Sequence, residues 1–221
     1  MRNNILKIIR YGIPVAAAAA VGVLYGKLPK KIPVHWDLQG NVEYGEKIQI
    51  WFMVGLLVFF TILFQVLPKL DPRRKNYSKF QKFYDIICLG IQLFLVAMMS
   101  IIISEAFYPG RVSVDKAVSF LVGVLLIFIG NYMPKVKSNF YMGVRSPWAL
   151  SDEENWRKTH RLAGKLFVGA GIIMIAAVWL LPASAAFPVS MAAVMAAALI
   201  PYVMSYIWWK KDQCKKSNPL N

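Results

Sequence analysis

Five uncharged apolar runs separate short polar segments along this chain: residues 11–26, 48–67, 86–104, 117–133 and 166–209. A transmembrane helix needs about 20 apolar residues, so each of the first four runs predicts one membrane span. The last run is ~66 Å long as a helix, about twice a hydrocarbon core, so it must fold back. The segment PASAAFP, Pro182 to Pro188, predicts the break, because proline removes a backbone donor and favours turns. The pattern therefore predicts an all-α polytopic membrane bundle with six transmembrane helices.

The basic residues predict the orientation of these spans. Twenty of the 26 Lys and Arg residues fall on the face that carries both termini, in residues 1–10, 68–85, 134–165 and 210–221. The other face carries only six, in residues 27–47 and 105–116. Cytoplasmic loops carry an excess of Lys and Arg, so both termini are predicted to be cytoplasmic.

Composition agrees with a membrane protein. Hydrophobic residues make up 57% of the 221 residues and charged residues 17%, whereas soluble domains are about a quarter charged. The net charge of +15 is divided among short loops, which favours membrane flanks over a nucleic-acid surface. The first run is rich in Ala and contains Pro14; we interpret it as a retained span whose start extends outward if Arg10 snorkels.

The most polar stretch is NFYMGVRSPWALSDEENWRKTHRLAGK, residues 139–165. Ser151 followed by Glu154 matches a capping box and predicts a helix from about residue 152. We expect an interfacial cytoplasmic helix that turns into span five near Gly164. Before it, Gly143 suits a tight turn, Pro147 an extended entry, and Arg145 a carboxylate or lipid phosphate. A plain membrane-surface connector is an equal alternative.

The segment IPVHWDLQGNVEYGEK, residues 32–47, is predicted to lie outside the cell. Asp37 and Glu46 flank a Gly-Asn turn, which predicts a short hairpin. A polar site there could be lined by His35, Asp37, Glu43 and Glu46. The alternative is an interfacial cap in which Trp36 and Tyr44 rest on lipid headgroups.

Metal and catalytic patterns were sought as well. The two histidines, His35 and His160, lie on opposite predicted faces and cannot share a metal. No zinc-protease, serine-hydrolase or phosphate-loop motif occurs, so no cofactor, metal or catalytic residue is predicted. Three polar residues, Gln65, Gln92 and Asn131, lie within or near the spans, and Gln92 could bond to a neighbouring helix.

Both polar segments resemble a known family. LPKKIPVHWDLQGNVEYGEK is similar to an uncharacterised N-terminal membrane domain that is often joined to the SdpI immunity region. Residues 139–165 resemble the signature of that region: an Asn, a Gly-x-Arg, a Pro-Trp, an acidic helix start, then Trp and Thr-His with Gly after. Ser146 and Ala149 stand where the resemblance leads us to expect Thr.

The resemblance implies one membrane domain over residues 1–221, with an N-terminal two-span part at 1–67 and an SdpI-like four-span part at 83–221. It implies a multi-pass protein of the bacterial cell membrane. It also implies immunity to a secreted peptide toxin, and a receptor role in which a cytoplasmic transcriptional repressor is held at the membrane. No direct nucleic-acid contact is implied.

These observations leave three hypotheses: toxin immunity, a small transporter or exporter of an amphipathic peptide, and a membrane enzyme that uses His160 with Asp152 or Glu153. Immunity is preferred, with no enzyme activity. The candidate toxin-binding or signature residues are His35, Trp36, Asp37, Gly40, Asn139, Gly143, Arg145, Pro147, Trp148, Trp156, Thr159, His160 and Gly164.

Overall fold

The computed structural model describes residues 2–36 and 42–217. Its described elements, in chain order, are α1 (Arg2–Tyr25), β1 (Lys31–Trp36), β2 (Val42–Glu46), α2 (Ile50–Leu70), α3 (Tyr77–Phe107), α4 (Val114–Tyr132), α5 (Pro147–Ser151), α6 (Glu153–Leu180) and α7 (Ala183–Ser217). Short 3-10 turns precede α2 and α3 and follow α4.

The prediction of six spans is confirmed. Six helices in the described residues are long and apolar enough to cross a membrane: Ile5–Tyr25, Lys47–Leu70, Arg74–Phe107, Val114–Lys135, Glu153–Leu180 and Ser184–Cys214. The predicted orientation of the termini stays a prediction.

A two-stranded ribbon interrupts the otherwise helical chain. β1 and β2 pair antiparallel, with Lys31 opposite Glu46 and Trp36 opposite Val42. The register shifts between Pro33 and His35, which fits proline, because it cannot donate to a strand ladder. The predicted hairpin is therefore present, while its tip, which includes Asp37 and Gly40, lies outside the described residues.

The fold-back between the last two spans is tighter than predicted. α6 ends at Leu180 and α7 begins at Ala183, so Pro188 lies inside α7 rather than in the turn. Leu181 is extended, with φ −112° and ψ 153°, as the residue before a proline tends to be. Pro182 alone is enough to end the helix, and the expected break over residues 182–188 is corrected to residues 181–182.

Two details at the start of α6 also differ from the prediction. The helix cap is Asp152, whose carboxylate accepts from the Asn155 N–H at 2.7 Å, whereas the Ser151 hydroxyl donates to the Trp148 carbonyl. The expected turn at Gly164 is absent, because α6 is one helix through that residue. The predicted interfacial segment is thus the first turns of α6, and its position at the membrane surface stays a prediction.

Contacts divide the chain into two compact units. Unit 1 comprises residues 1–66 and 85–121, and unit 2 comprises residues 67–84 and 122–221. The core of unit 1 joins α1, β1, α2 and α3 through the buried side chains of Val21, Ile32, Leu57 and Met99. The base of the hairpin is therefore packed into the helices of unit 1. The sequence-based division at residues 67 and 83 stays a prediction.

In unit 2, α4 and α6 approach closely at glycines. A methyl group added to Gly164 would lie 2.7 Å from the Gly130 carbonyl oxygen, and one on Gly130 would lie 2.7 Å from that of Gly164. Gly123 and Gly171 form a second such crossing. Small residues let helix backbones pack closely in lipid, where no hydrophobic force brings helices together. Gly164, a candidate functional residue, is thus a packing residue.

The close approach of α4 and α6 predicts that a larger side chain at position 164 destabilises the protein. Gly164→Ala should lower the free energy of unfolding by about 1–3 kcal/mol, the usual cost of overpacking. Gly169→Ala on the same helix is the matched control, because nothing lies within 4 Å of its added methyl group. Thermal unfolding in detergent measures both. Equal stability of the two variants would contradict the close approach.

Candidate functional site

The buried polar side chains of the signature lie in unit 2, where the α2–α3 connection meets the segment between α4 and α6. Asp71, which follows α2, is only 2% exposed. Its carboxylate accepts from the backbone N–H of Arg73 at 2.7 Å, the backbone N–H of Phe140 at 2.8 Å and the Tyr77 hydroxyl at 3.0 Å. Three donors compensate the burial of this charge. Asp71 thereby fixes the two segments to each other.

Asn139, the first residue of the signature, organises the turn that follows it. Its side-chain oxygen accepts from the backbone N–H groups of Tyr141 at 2.9 Å and Met142 at 2.6 Å. Its amide group donates to the carbonyls of Lys137 at 2.8 Å and Met142 at 3.1 Å. A fully buried Asn with both functional groups used in this way replaces backbone pairing in an irregular loop.

His160 is fully buried in α6 and is bonded to backbone on both sides. Its Nε2 accepts from the Val144 N–H at 3.2 Å, so the proton lies on Nδ1, which donates to the Trp156 carbonyl at 2.8 Å. The Trp156 ring stacks on the imidazole, with ring centroids 3.9 Å apart, and its Nε1–H donates to the Val136 carbonyl at 2.9 Å. The neutral imidazole therefore fastens the loop to the helix.

Gly143 makes room for that imidazole. Its φ is +101°, a conformation that side chains rarely adopt. A methyl group at this position would overlap Nε2 of His160. The glycine of the signature is therefore required by both its backbone conformation and its contact.

A second group of hydrogen bonds ties α5 and α6 to α7. The Ser146 hydroxyl accepts from the Ala149 N–H at 3.0 Å and lies 2.6 Å from the Ser205 hydroxyl. Asn155 donates to the Ser205 carbonyl at 2.8 Å and accepts from Thr159 at 3.0 Å. Ser146 thus supplies the hydroxyl that the Thr expected from the resemblance would also carry. Thr159 supports Asn155.

Three of the signature candidates border solvent or lipid. Arg145 is exposed and donates to the Phe140 carbonyl at 3.0 Å. Pro147 is exposed and begins α5, while Trp148 is half-buried between Tyr202 and Tyr206, with ring centroids 5.6 and 4.9 Å away. Phe140 and Tyr141 are 39% and 38% exposed. We call these five residues, 140, 141, 145, 147 and 148, the exposed loop face.

The candidates that are predicted to lie outside the cell belong to unit 1. His35 is exposed on β1, and Trp36 is half-buried at its end. The Trp36 Nε1–H is buried and has no hydrogen-bond partner among the described residues. The same holds for one oxygen of Glu105, near the end of α3, whose other oxygen accepts from Gly110 at 2.7 Å.

A buried ion pair in unit 1 was missed by the sequence analysis. The Arg10 guanidinium contacts the Asp85 carboxylate, and the two residues are 4% and 0% exposed. Arg10 therefore does not snorkel, because a carboxylate neutralises it within the protein. Gln92 lies near them and donates to the Arg10 carbonyl at 3.1 Å and to Thr61 at 2.6 Å. The expectation that Gln92 bonds to a neighbouring helix is confirmed.

The geometry gives no catalytic arrangement around His160. Its ring bonds to backbone groups of Trp156 and Val144, while Asp152 caps α6. Within the described residues, no group of three or more His, Cys, Asp or Glu side chains could hold a metal ion.

The signature region and the ribbon region each match a known protein family or domain. Residues 135–205 match the model of the SdpI/YfhL protein family, and residues 12–58 match a domain of unknown function, DUF1648. The chain is 26% identical over 214 residues to the immunity protein SdpI of Bacillus subtilis (strain 168), covering 96% of this chain and 98% of that protein. Residues 135–205 of the chain are thus similar to the SdpI/YfhL family. No solved structure matches the chain.

The SdpI/YfhL match begins at residue 135 and thus contains the whole signature, together with its partner Ser205 on α7. Asp71, in the α2–α3 connection, and Tyr77, the first residue of α3, lie outside the match, yet they hold the signature turn. The sequence signal for Asp71 is the Asp-Pro pair that follows α2. The ribbon residues 31–46 lie within the DUF1648 match.

Gly143→Ala should be strongly destabilising, because it combines backbone strain with overlap at His160. Gly110→Ala is the control: its φ is +72°, but nothing lies within 4 Å of the added methyl group. The control should lose about 1–2 kcal/mol from backbone strain alone, and Gly143→Ala more. Thermal unfolding in detergent compares the two variants. An equal loss of stability would show that the contact between position 143 and His160 adds nothing to the cost of backbone strain.

Removal of one member of the ion pair should cost about 3–5 kcal/mol, because it leaves a buried charge without its partner. Arg10→Met and Asp85→Leu should each destabilise the protein, and the double variant should be more stable than either. The exposed Lys7 on the same helix gives the control Lys7→Met, with little effect. Additive losses in this double-mutant cycle would show that the two residues do not interact.

Proposed function

We propose that this protein protects a bacterium from a secreted peptide toxin. The observation that carries the proposal is the similarity to a curated immunity protein along 96% of the chain, which includes both the outer ribbon and the signature. The six apolar helices support a multi-pass location in the cell membrane.

The outer ribbon is the proposed toxin contact. Trp36 is half-buried at the end of β1, and its indole N–H has no partner among the described residues. A backbone carbonyl of a peptide that reached this group would supply the missing acceptor. The exposed His35 adds a polar contact. Asp37 and Gly40, which lie outside the described residues, stay candidates for the same contact.

The exposed loop face is the proposed response surface. The buried members of the signature hold the loop, so a cytoplasmic repressor would meet Arg145, Phe140, Tyr141 and Trp148 instead. A receptor role requires that the toxin bind two arrangements of the protein with different affinity, since a ligand shifts an equilibrium only by its differential binding. Sequestration of a repressor at the membrane is a second, separable part of the proposal.

The transporter alternative has less support. Gln92 is engaged with Thr61 and Arg10, and Asn131 donates to the Ile127 carbonyl of its own helix. Gln65 is exposed on α2. The Gln92 side-chain oxygen has no partner among the described residues, but one such atom does not form a path for a solute.

Expression in toxin-sensitive bacteria tests the proposal. In the presence of the secreted peptide toxin, cells that express the chain should survive better than cells that carry an empty vector. Trp36→Phe should reduce that protection, because it keeps most of the ring and removes only the N–H. Trp51→Phe, on an exposed α2 position, is the matched control and should protect fully.

Membrane levels of each variant are compared by immunoblot, so that a loss of protein is not mistaken for a loss of function. Survival no better than the empty vector, at normal membrane level, would remove immunity to that peptide. Arg145→Ala separates the two parts of the proposal: it should abolish repressor retention in membrane fractions and leave survival unchanged.

A further inference from the structure

A groove on unit 2 lies beside the hydrogen bonds that Asp71 makes with the α2–α3 connection. It has a volume of about 550 Å³ and runs between residues 72–76 and residues 150–153. Ligand pockets typically have volumes of about 300–1,000 Å³, so this groove suits a small group rather than a protein surface. Three consecutive basic residues, Arg73, Arg74 and Lys75, line one wall, and Glu153 lies on the other.

The walls of the groove are fixed. The Arg73 guanidinium donates to the Ser138 hydroxyl and, at 2.7 Å, to the Leu150 carbonyl. Asn76 donates to the Ser138 carbonyl at 2.8 Å. These bonds hold the two walls at a set separation, and the exposed Arg74 and Lys75 keep their charges available to a ligand.

The groove lies at the ends of membrane-spanning helices. The candidate span of α2 ends at Leu70, the next begins at Arg74, and the fifth begins at Glu153. Residues at such ends occupy the headgroup level of the bilayer. Basic residues at this level attract anionic lipids.

We infer that this groove binds a phosphodiester headgroup that carries hydrogen-bond donors. Arg74 and Lys75 would hold the singly charged phosphate, and Glu153 would accept from a hydroxyl or ammonium of the same headgroup. The carboxylate disfavours a phosphate monoester, which carries more negative charge. The same chemistry is available from a phospholipid or from a soluble phosphodiester, and the phospholipid is favoured by the position of the groove.

Lipid binding to the purified full chain tests the inference. The protein is placed in phosphatidylcholine nanodiscs that contain phosphatidylglycerol, and the retained lipid is counted by native mass spectrometry. Phosphatidylcholine has the phosphodiester without a donor, and phosphatidic acid has the monoester, so phosphatidylglycerol should be retained over both. Equal retention of the three lipids would overturn the inference.

Two variants locate the site. Arg74→Gln/Lys75→Gln should weaken phosphatidylglycerol binding roughly 30-fold, from about fivefold per basic residue near an anionic surface. Lys79→Gln/Lys82→Gln removes two exposed charges nearby on α3, outside the groove, and should weaken binding much less. Equal weakening by the two pairs would show general attraction to the membrane and overturn the inference.

Glu153→Gln provides an independent measurement with a single exposed change. It should shift the preference from phosphatidylglycerol toward phosphatidic acid, and an unchanged ratio would contradict the role of the carboxylate. Glycerophosphoglycerol identifies the source: displacement of the lipid by this soluble compound would assign the groove to a free phosphodiester, and persistence of the lipid would assign it to the bilayer.

Discussion

A polar group that is buried away from water, whether by lipid or by packed side chains, must find its hydrogen bonds in other parts of the protein. This constraint accounts for the contacts of Asp71, Asn139 and His160, each buried and each bonded to backbone groups of an irregular segment. It also accounts for the pairing of Arg10 with Asp85. A loop of residues 136–146 is thus ordered by side chains that act in place of secondary structure.

Close helix packing follows from the same environment. Without water to drive apolar surfaces together, helices gain from short backbone separations. α4 and α6 achieve this at Gly130 and Gly164. The N-terminal part of α6 then presents Trp156 and His160 to the loop. The glycine crossing and the signature turn therefore belong to one arrangement within unit 2.

The sequence predicted the features that depend on local pattern. Apolar run length gave the six spans, and the Gly-Asn turn gave the ribbon. The helix start near residue 152 was also predicted, although its cap is Asp152 rather than Ser151. Partners distant in the chain could not be predicted in this way: Asp71 with Phe140, Ser146 with Ser205, and Arg10 with Asp85 are joined only by the tertiary fold. A charged residue near a span end has the same local pattern whether it snorkels or pairs.

The signature residues divide into buried ones that hold the fold and exposed ones that are open to contact. Asn139, Gly143, Trp156, Thr159 and His160 are constrained by contacts within the fold, so replacing them alters stability before it alters recognition. Arg145 bonds to a backbone carbonyl from an exposed position, and Phe140 and Tyr141 project from the same turn. Substitution at these positions leaves the network intact. The buried side chains of the signature thus form a scaffold that holds the exposed ones, and the long signature reports this scaffold rather than the identity of a partner.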